Sequence, residues 1–372
     1  MDASKGAAML PTTPCLVIDE AVMLHNLERM AQACNTYKCG LRPHIKTHKC
    51  PELAKLQLQK GATGITIAKL HEAEIMADAG IEDIFMAYPL VGADKIARAI
   101  QLAKRIRFIV AADAYEPAAA LSMAAEAAGI KLEMRLELDS GMGRSGAYFE
   151  DAVELAQRIS ALQGIKLTGI FTYRNLMYQG KPDTDCKRCG IDEGNAMVQL
   201  AQLMRGAGID IKDVSVGSTA TAEFCARVPG VTEVRPGTYI LYDMMQLAKG
   251  ACDETMLAAH VDVTVVSVKG DLIIVDAGNK SISADCQPDQ PPLMLNGYGK
   301  VLLHDNITLF AMTEEHGMLR NADKSDGICV GDRLSIVPNH ICPTVNLYDN
   351  ACLIKTDGSV KTLDIAARGA NY

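Results

Sequence analysis

The chain has 372 residues, 49% of them apolar, enough to bury a large core, so disorder and fibrous repeats are excluded. Asp and Glu outnumber Lys and Arg 45 to 37, a formal charge of −8, which excludes the basic footprint of a protein that grips nucleic-acid phosphates. No apolar run approaches the roughly 18 residues of a membrane span, and the opening MDASKGAAMLPTTP lacks the apolar core of a signal peptide, so a cytoplasmic protein is expected.

Between residues 40 and 240 short β-prone runs alternate with helix-prone stretches. In chain order the runs are 42–46 (RPHIK), 64–69 (GITIAK), 84–89 (IFMAYP), 106–113 (IRFIVAAD), 132–139 (LEMRLELD), 167–173 (LTGIFTY), 213–218 (DVSVGS) and 233–240 (EVRPGTYI). Segments such as HEAEIMADAG, ADKIARAIQLAKR, PAAALSMAAEAAG and FEDAVELAQRISAL read as the helices between them. Eight such units predict an α/β fold built on a (β/α)8 TIM barrel. After residue 255 the rhythm changes to AAHVDVTVVSVKG, DLIIVDAG, RLSIVPNHI and NACLIKTDG, β-prone runs separated by Gly, Asp and Pro turns, which predicts a C-terminal antiparallel β domain. Segment 290–300 (QPPLMLNGYGK) is its expected long loop. The twelve cysteines are scattered without the density of a disulfide-stapled chain, so most are expected as free thiols.

Barrel active sites stand at the C-terminal ends of strands, and here those ends are polar. The first reads HIKTHK, where strand alternation would turn His44 and Lys46 into the barrel mouth. A partly buried lysine has a lowered pKa and can form a Schiff base, whereas a lysine in a solvated loop only carries charge. The fifth ends in DSGMGRSG, placing Arg144 either on an oxyanion or on a surface carboxylate, and the sixth ends in Tyr173, Arg174 and Asn175. The seventh ends in Gly217, Ser218, Thr219, Ala220 and Thr221, a turn fit for an anion at a helix start or simply a capped turn. In the β domain His340 and Cys342 are two residues apart, so an extended backbone would present imidazole and thiol on one side, as open zinc sites do, or as a packed pair. Cys186 and Cys189 form a half zinc motif lacking a second half, and His48 and His316 stand alone.

Taken in order, TPCLVIDEAVMLHNLERM, LRPHIKTHKCPELAKLQLQKGATGITIAKLHEAEIMADAGI, ELDSGMGRSG, VSVGSTATAEF, EVRPGTYILYD, IIVDAGNKS, EEHGMLR and PNHICPTVNLYD resemble the fold-type III (alanine-racemase-like) pyridoxal-phosphate enzymes, and within them the D-serine dehydratase and D-threonine aldolase group. The resemblance implies a pyridoxal 5'-phosphate (PLP) barrel over residues 26–250, a β domain made of 1–25 and 251–372, and a homodimer acting on a small D-amino acid. It implies that Lys46 is the Schiff-base lysine, that Arg144 and Tyr173 stand by the cofactor ring, and that Arg235 faces its nitrogen. Gly217, Ser218 and Thr219, with Gly237 and Thr238, are the implied phosphate segments, and His340 and Cys342 the implied metal ligands. Dehydratase-like members resemble this chain in having His-x-Cys where aldolase members generally carry His-x-Asp, and a thiolate favours zinc. The expected activity is therefore a dehydratase giving a keto acid and ammonia, with a D-threonine-type aldolase, a racemase and a non-catalytic PLP carrier as the other readings. One departure stands out. Where the family usually has a His within two residues of the tyrosine, this chain has Arg174, which would recognise a second carboxylate, as in 3-hydroxyaspartate, or would point outward.

Overall fold

The computed structural model describes residues 11–322 and 327–372. The chain divides into two compact units. One comprises residues 28–46, 53–237 and 369–372; the other comprises the described part of 1–27 with 47–52 and 238–368. Residues 26–27, 47–52 and 238–250, expected in the barrel from sequence, cluster with the β unit, and 369–372, expected in the β domain, with the barrel unit.

In the first unit eight parallel strands follow in chain order: β1 (Gly40–Leu41), β2 (Ile65–Ile67), β3 (Asp83–Pro89), β4 (Arg107–Ala112), β5 (Leu132–Glu137), β6 (Ile165–Phe171), β7 (Asp213–Val216) and β8 (Glu233–Val234). From β2 onward each pairs with the next, β8 pairs with β1, and a parallel bridge between His44 and Thr66 joins the segment after β1 to β2, closing the barrel. Phe85, Ile109, Ala111 and Phe171 fill the interior, with Phe85 and Phe171 edge to face at 5.0 Å between centroids. The sequence placed all eight strands but drew the first too late. Residues 45–47 form a 3-10 turn instead of continuing a strand.

The barrel's other interior layer is charged. Glu233 on β8 accepts from Arg42 Nε at 2.6 Å and Arg135 Nη1 at 2.5 Å, and its Oε1 also accepts from Ser215 Oγ at 2.7 Å. Arg42 reaches on to Asp83 at 2.5 Å and Arg135 to Asp213 at 3.1 Å, so five strand segments share one buried ionic lattice. Burial alone would raise the Glu233 carboxyl, but the charges and hydrogen bonds of Arg135 and Arg42 hold it well below the ordinary carboxylate range. Gly64 has no side chain for a steric reason: a Cβ there would stand 2.1 Å from an Arg42 guanidinium nitrogen.

The second unit is a nine-stranded sheet. Its order is 272–275, 317–321, 307–312, 299–301, 333–338, 259–269, 15–19, 350–354 and 360–364, and strand 272–275 also pairs with 259–269, so six of the strands close on themselves. Strand Cys15–Asp19 lies antiparallel to 259–269 and parallel to 350–354, so an N-terminal segment completes this unit. Strands 299–301, 307–312, 317–321 and 360–364 were not read from sequence, because short half-exposed strands carry little alternation. No described helix is long and apolar enough to cross a membrane.

Replacing Glu233 by Gln removes the buried charge shared by Arg42 and Arg135 and leaves them only the half-buried Asp83 and Asp213, and the expected loss is about 3–5 kcal/mol in urea unfolding at neutral pH. Because the folded carboxyl is depressed, its contribution is complete above the unfolded value of about 4.3 and fades as pH falls, so wild type and Glu233→Gln converge in acid.

Candidate active site

In the barrel unit three of the expected residues meet on one ring. Tyr173, half-buried just after β6, has Lys46 Nζ 5.5 Å and the Arg144 guanidinium carbon 5.2 Å from its ring centroid. Lys46 sits on the 3-10 turn, where its amide donates to His44 Nδ1 at 3.3 Å, and its side chain is exposed rather than partly buried as the strand reading had it. Arg144 is likewise exposed, at the end of a loop whose glycine amides at 141 and 143 are gathered by Asp139.

The Gly217–Thr221 segment forms a tight buried turn. Gly217 has φ of +83°, a left-handed conformation suited to glycine, and a Cβ there would press on Ala222 at 3.0 Å. Ser218 N–H donates to Thr221 Oγ1 at 2.9 Å, and the amides of Thr221 and Ala222 return to Ser218 O at 3.1 and 2.8 Å. The amides of Thr219 and Ala220 meet no acceptor among the described residues. Gly237 N–H donates to Thr219 Oγ1 at 3.2 Å, which ties the second implied phosphate segment to the first. Buried amide donors left over in a rigid turn suit a phosphate, so this feature fits PLP.

Arg235 is buried below the mouth. Its guanidinium donates to Ser215 Oγ at 2.6 Å and to Thr172 O at 2.5 Å, and packs over the Phe171 ring. Burial pushes it down to about 10 against the opposing charge of Glu233. An arginine so placed can face a ring nitrogen without being able to give up a proton readily.

The β unit holds the other candidate residues. His340 is the N-cap residue of the short helix Ile341–Val345, so it and Cys342 sit at a helix start rather than on the extended backbone expected from alternation. They are near enough for the imidazole to act on the thiol nonetheless, and Asp285 Oδ2 lies 2.6 Å from His340 Nδ1. Burial would lower the imidazole, yet the hydrogen bonds to Asp285 and Cys342 raise it to about 10. Burial would likewise raise the Cys342 thiol, but the hydrogen bond and charge of His340 bring it below its ordinary value. Thr47 Oγ1 and Thr238 Oγ1 stand 3.2 and 3.6 Å from Cys342 Sγ, so the Thr238 hydroxyl, expected at a phosphate, faces the thiol. Asp243 supports the turn by accepting from Ile341 N–H at 3.0 Å. An imidazole oriented by a carboxylate beside an easily ionised thiol is a donor set that suits zinc, with further positions left to water or substrate. No group of three or more His, Cys, Asp or Glu placed to hold a metal occurs among the described residues.

The remaining candidates fall elsewhere. Cys186 and Cys189 are buried in the first turn of the helix Cys186–Gly206. His48 is buried and accepts from Cys50 N–H at 3.1 Å, and His316 is exposed at a turn. Arg174 is buried, and its guanidinium Nη1 pairs with Asp192 on that helix at 2.5 Å. Ser215, Glu233, Asp285 and Glu193 were missed from sequence. Only Glu233 had a local signal, lying two residues from Arg235 on an alternating segment.

The profile described as "Alanine racemase, N-terminal domain" matches residues 18–244, and that described as "Putative serine dehydratase domain" matches 258–354. The chain belongs to the alanine racemase-like family of fold-type III PLP enzymes. It is 32% identical to a D-threonine aldolase of Arthrobacter sp, covering 96% of this chain and 93% of that one. It is 33% identical to a D-threo-3-hydroxyaspartate dehydratase of Delftia sp. (strain HT23), covering 94% of this chain and 96% of that one. The solved structure of the Delftia dehydratase superposes with a TM-score of 0.88 at 33% identity, over 95% of this chain and 97% of that one. A variant of that dehydratase has been solved in a metal-free form.

Because Asp285 orients His340, Asp285→Ala is expected to weaken zinc binding by about 10–100-fold in competition with a chromogenic chelator. Unchanged affinity would remove Asp285 from the site.

Proposed function

We propose that this chain is a PLP- and zinc-dependent dehydratase of D-3-hydroxy amino acids, of the D-serine or D-3-hydroxyaspartate type, releasing a keto acid and ammonia. The observation that carries the dehydratase reading is the neighbouring His340 and Cys342 pair, with Asp285 2.6 Å behind the imidazole. Its thiol suits zinc, where a carboxylate in its place would accept harder cations. The relatives are PLP-dependent lyases, which supports lyase chemistry in general.

PLP, when bound, supplies an electron sink that makes the substrate's Cα–H acidic. The Tyr173 ring, flanked by Lys46 and Arg144, offers the flat face for it, and the 217–221 turn together with Gly237 would hold the phosphate. Lys46 Nζ would carry the cofactor covalently and, once released, take the Cα proton. Arg235, held by Ser215 and the Thr172 carbonyl, would keep a fixed positive charge at the ring nitrogen. A divalent metal on His340 and Cys342 supplies Lewis acidity that makes a β-hydroxyl a better leaving group.

Incubation with D-serine, D-threo-3-hydroxyaspartate and D-threonine tests this reading. Keto acid and ammonia are expected in equal amounts, lost with EDTA and restored by Zn2+. Cys342→Ala is expected to slow keto acid release on the order of a hundredfold or more, the several kcal/mol a Lewis acid supplies. Glycine and an aldehyde in place of keto acid would put the chain with the aldolases, and metal-independent loss of optical activity without cleavage would make it a racemase.

A further inference from the structure

The helix Cys186–Gly206 carries two consecutive acids that face different parts of the barrel unit. Asp192 binds Arg174, and Glu193, 1% exposed, reaches the 217–221 turn. Two glycines allow the approach: a Cβ on Gly190 would stand 2.8 Å from both Phe224 Cβ and Thr221 O, and one on Gly194 would stand 2.8 Å from Val228. The Glu193 carboxylate collects two donors from the turn. Oε1 accepts from Gly217 N–H at 3.1 Å and Oε2 from Thr221 Oγ1 at 3.3 Å, while the Cys225 thiol lies 3.5 Å from Oε2 and closer, at 3.2 Å, to Gly190 O. Desolvation pushes its carboxyl up, and the Gly217 amide and the Arg235 charge draw it back.

This arrangement gives the turn a direction. Thr221 has one hydroxyl hydrogen, and Glu193 takes it, so Thr221 Oγ1 is left to accept from Ser218 N–H at 2.9 Å. With the Gly217 and Ser218 amides turned inward in this way, the next two amides, of Thr219 and Ala220, are the donors that remain.

We propose that Glu193 is the positioning residue of the phosphate turn: by drawing Gly217 N–H and the Thr221 hydroxyl inward it fixes which amides face an anion, and so sets the preference for a phosphorylated cofactor over an unphosphorylated one. The inference rests on the reading that this turn receives the cofactor phosphate. Glu193→Gln preserves size and can still accept from Gly217, but its NH2 end donates toward Thr221 and reverses that hydrogen bond.

The test compares full-length apoprotein, wild type and E193Q, titrated with PLP and with pyridoxal, and records thermal shifts with inorganic phosphate alone. In E193Q, PLP binding is expected to weaken about tenfold or more while pyridoxal binding stays within about twofold, and the phosphate-induced shift disappears. Equal weakening of both compounds, or of neither, overturns the inference, because a merely structural acid would not distinguish them. If E193Q does not fold, T221V removes the linking hydroxyl and carries the same expectation. Wild-type protein that binds pyridoxal as well as PLP would instead overturn the placement of phosphate at this turn, a failure distinct from that of Glu193.

Discussion

Glu233 is the carboxylate on which the barrel unit is built. A barrel interior filled only by aliphatic and aromatic side chains could not hold a cation beneath its mouth, because an unpaired buried guanidinium is strongly disfavoured. Here one carboxylate bridges Arg42 and Arg135, with Asp83 and Asp213 as their outer partners, and also accepts from Ser215, whose oxygen in turn accepts from Arg235. The charge at the mouth is therefore anchored to the floor through one hydroxyl. Phe85 and Phe171, packed against Arg235 and Arg135, exclude water from the lattice and strengthen it.

The thiols show the same dependence on local partners. All twelve cysteines are free. Burial pushes Cys34 and Cys39 up to about 12 and Cys189 to about 11, which makes them inert packing groups. Cys342 is the exception among those shifted, because His340 beside it outweighs desolvation. Within the β unit an identical side chain thus becomes a ligand candidate through one neighbouring imidazole, itself oriented by Asp285 from 55 residues away.

Much of this was legible in the sequence because strand alternation and the strand-end rule are local. They located the eight barrel strands, the Tyr173 and Arg144 segments and the 217–221 turn. Where the backbone departs from a strand, alternation misleads: Lys46 lies on a 3-10 turn and His340 caps a helix, although both remain beside the partners expected of them. Arg174 lies next to Tyr173 in sequence, and its pairing with Asp192 on a helix 18 residues further along had no local signal. Glu193 and Asp285 left no trace in sequence, since each acts on a segment far along the chain.

We propose that Lys46 carries PLP at the barrel's polar mouth. Borohydride reduction of the PLP-loaded protein followed by peptide mass mapping tests it directly. A phosphopyridoxyl group is expected on the peptide containing Lys46 and on no other lysine. A label on Lys49 or Lys69, or a PLP-saturated protein with no labelled lysine, would contradict it.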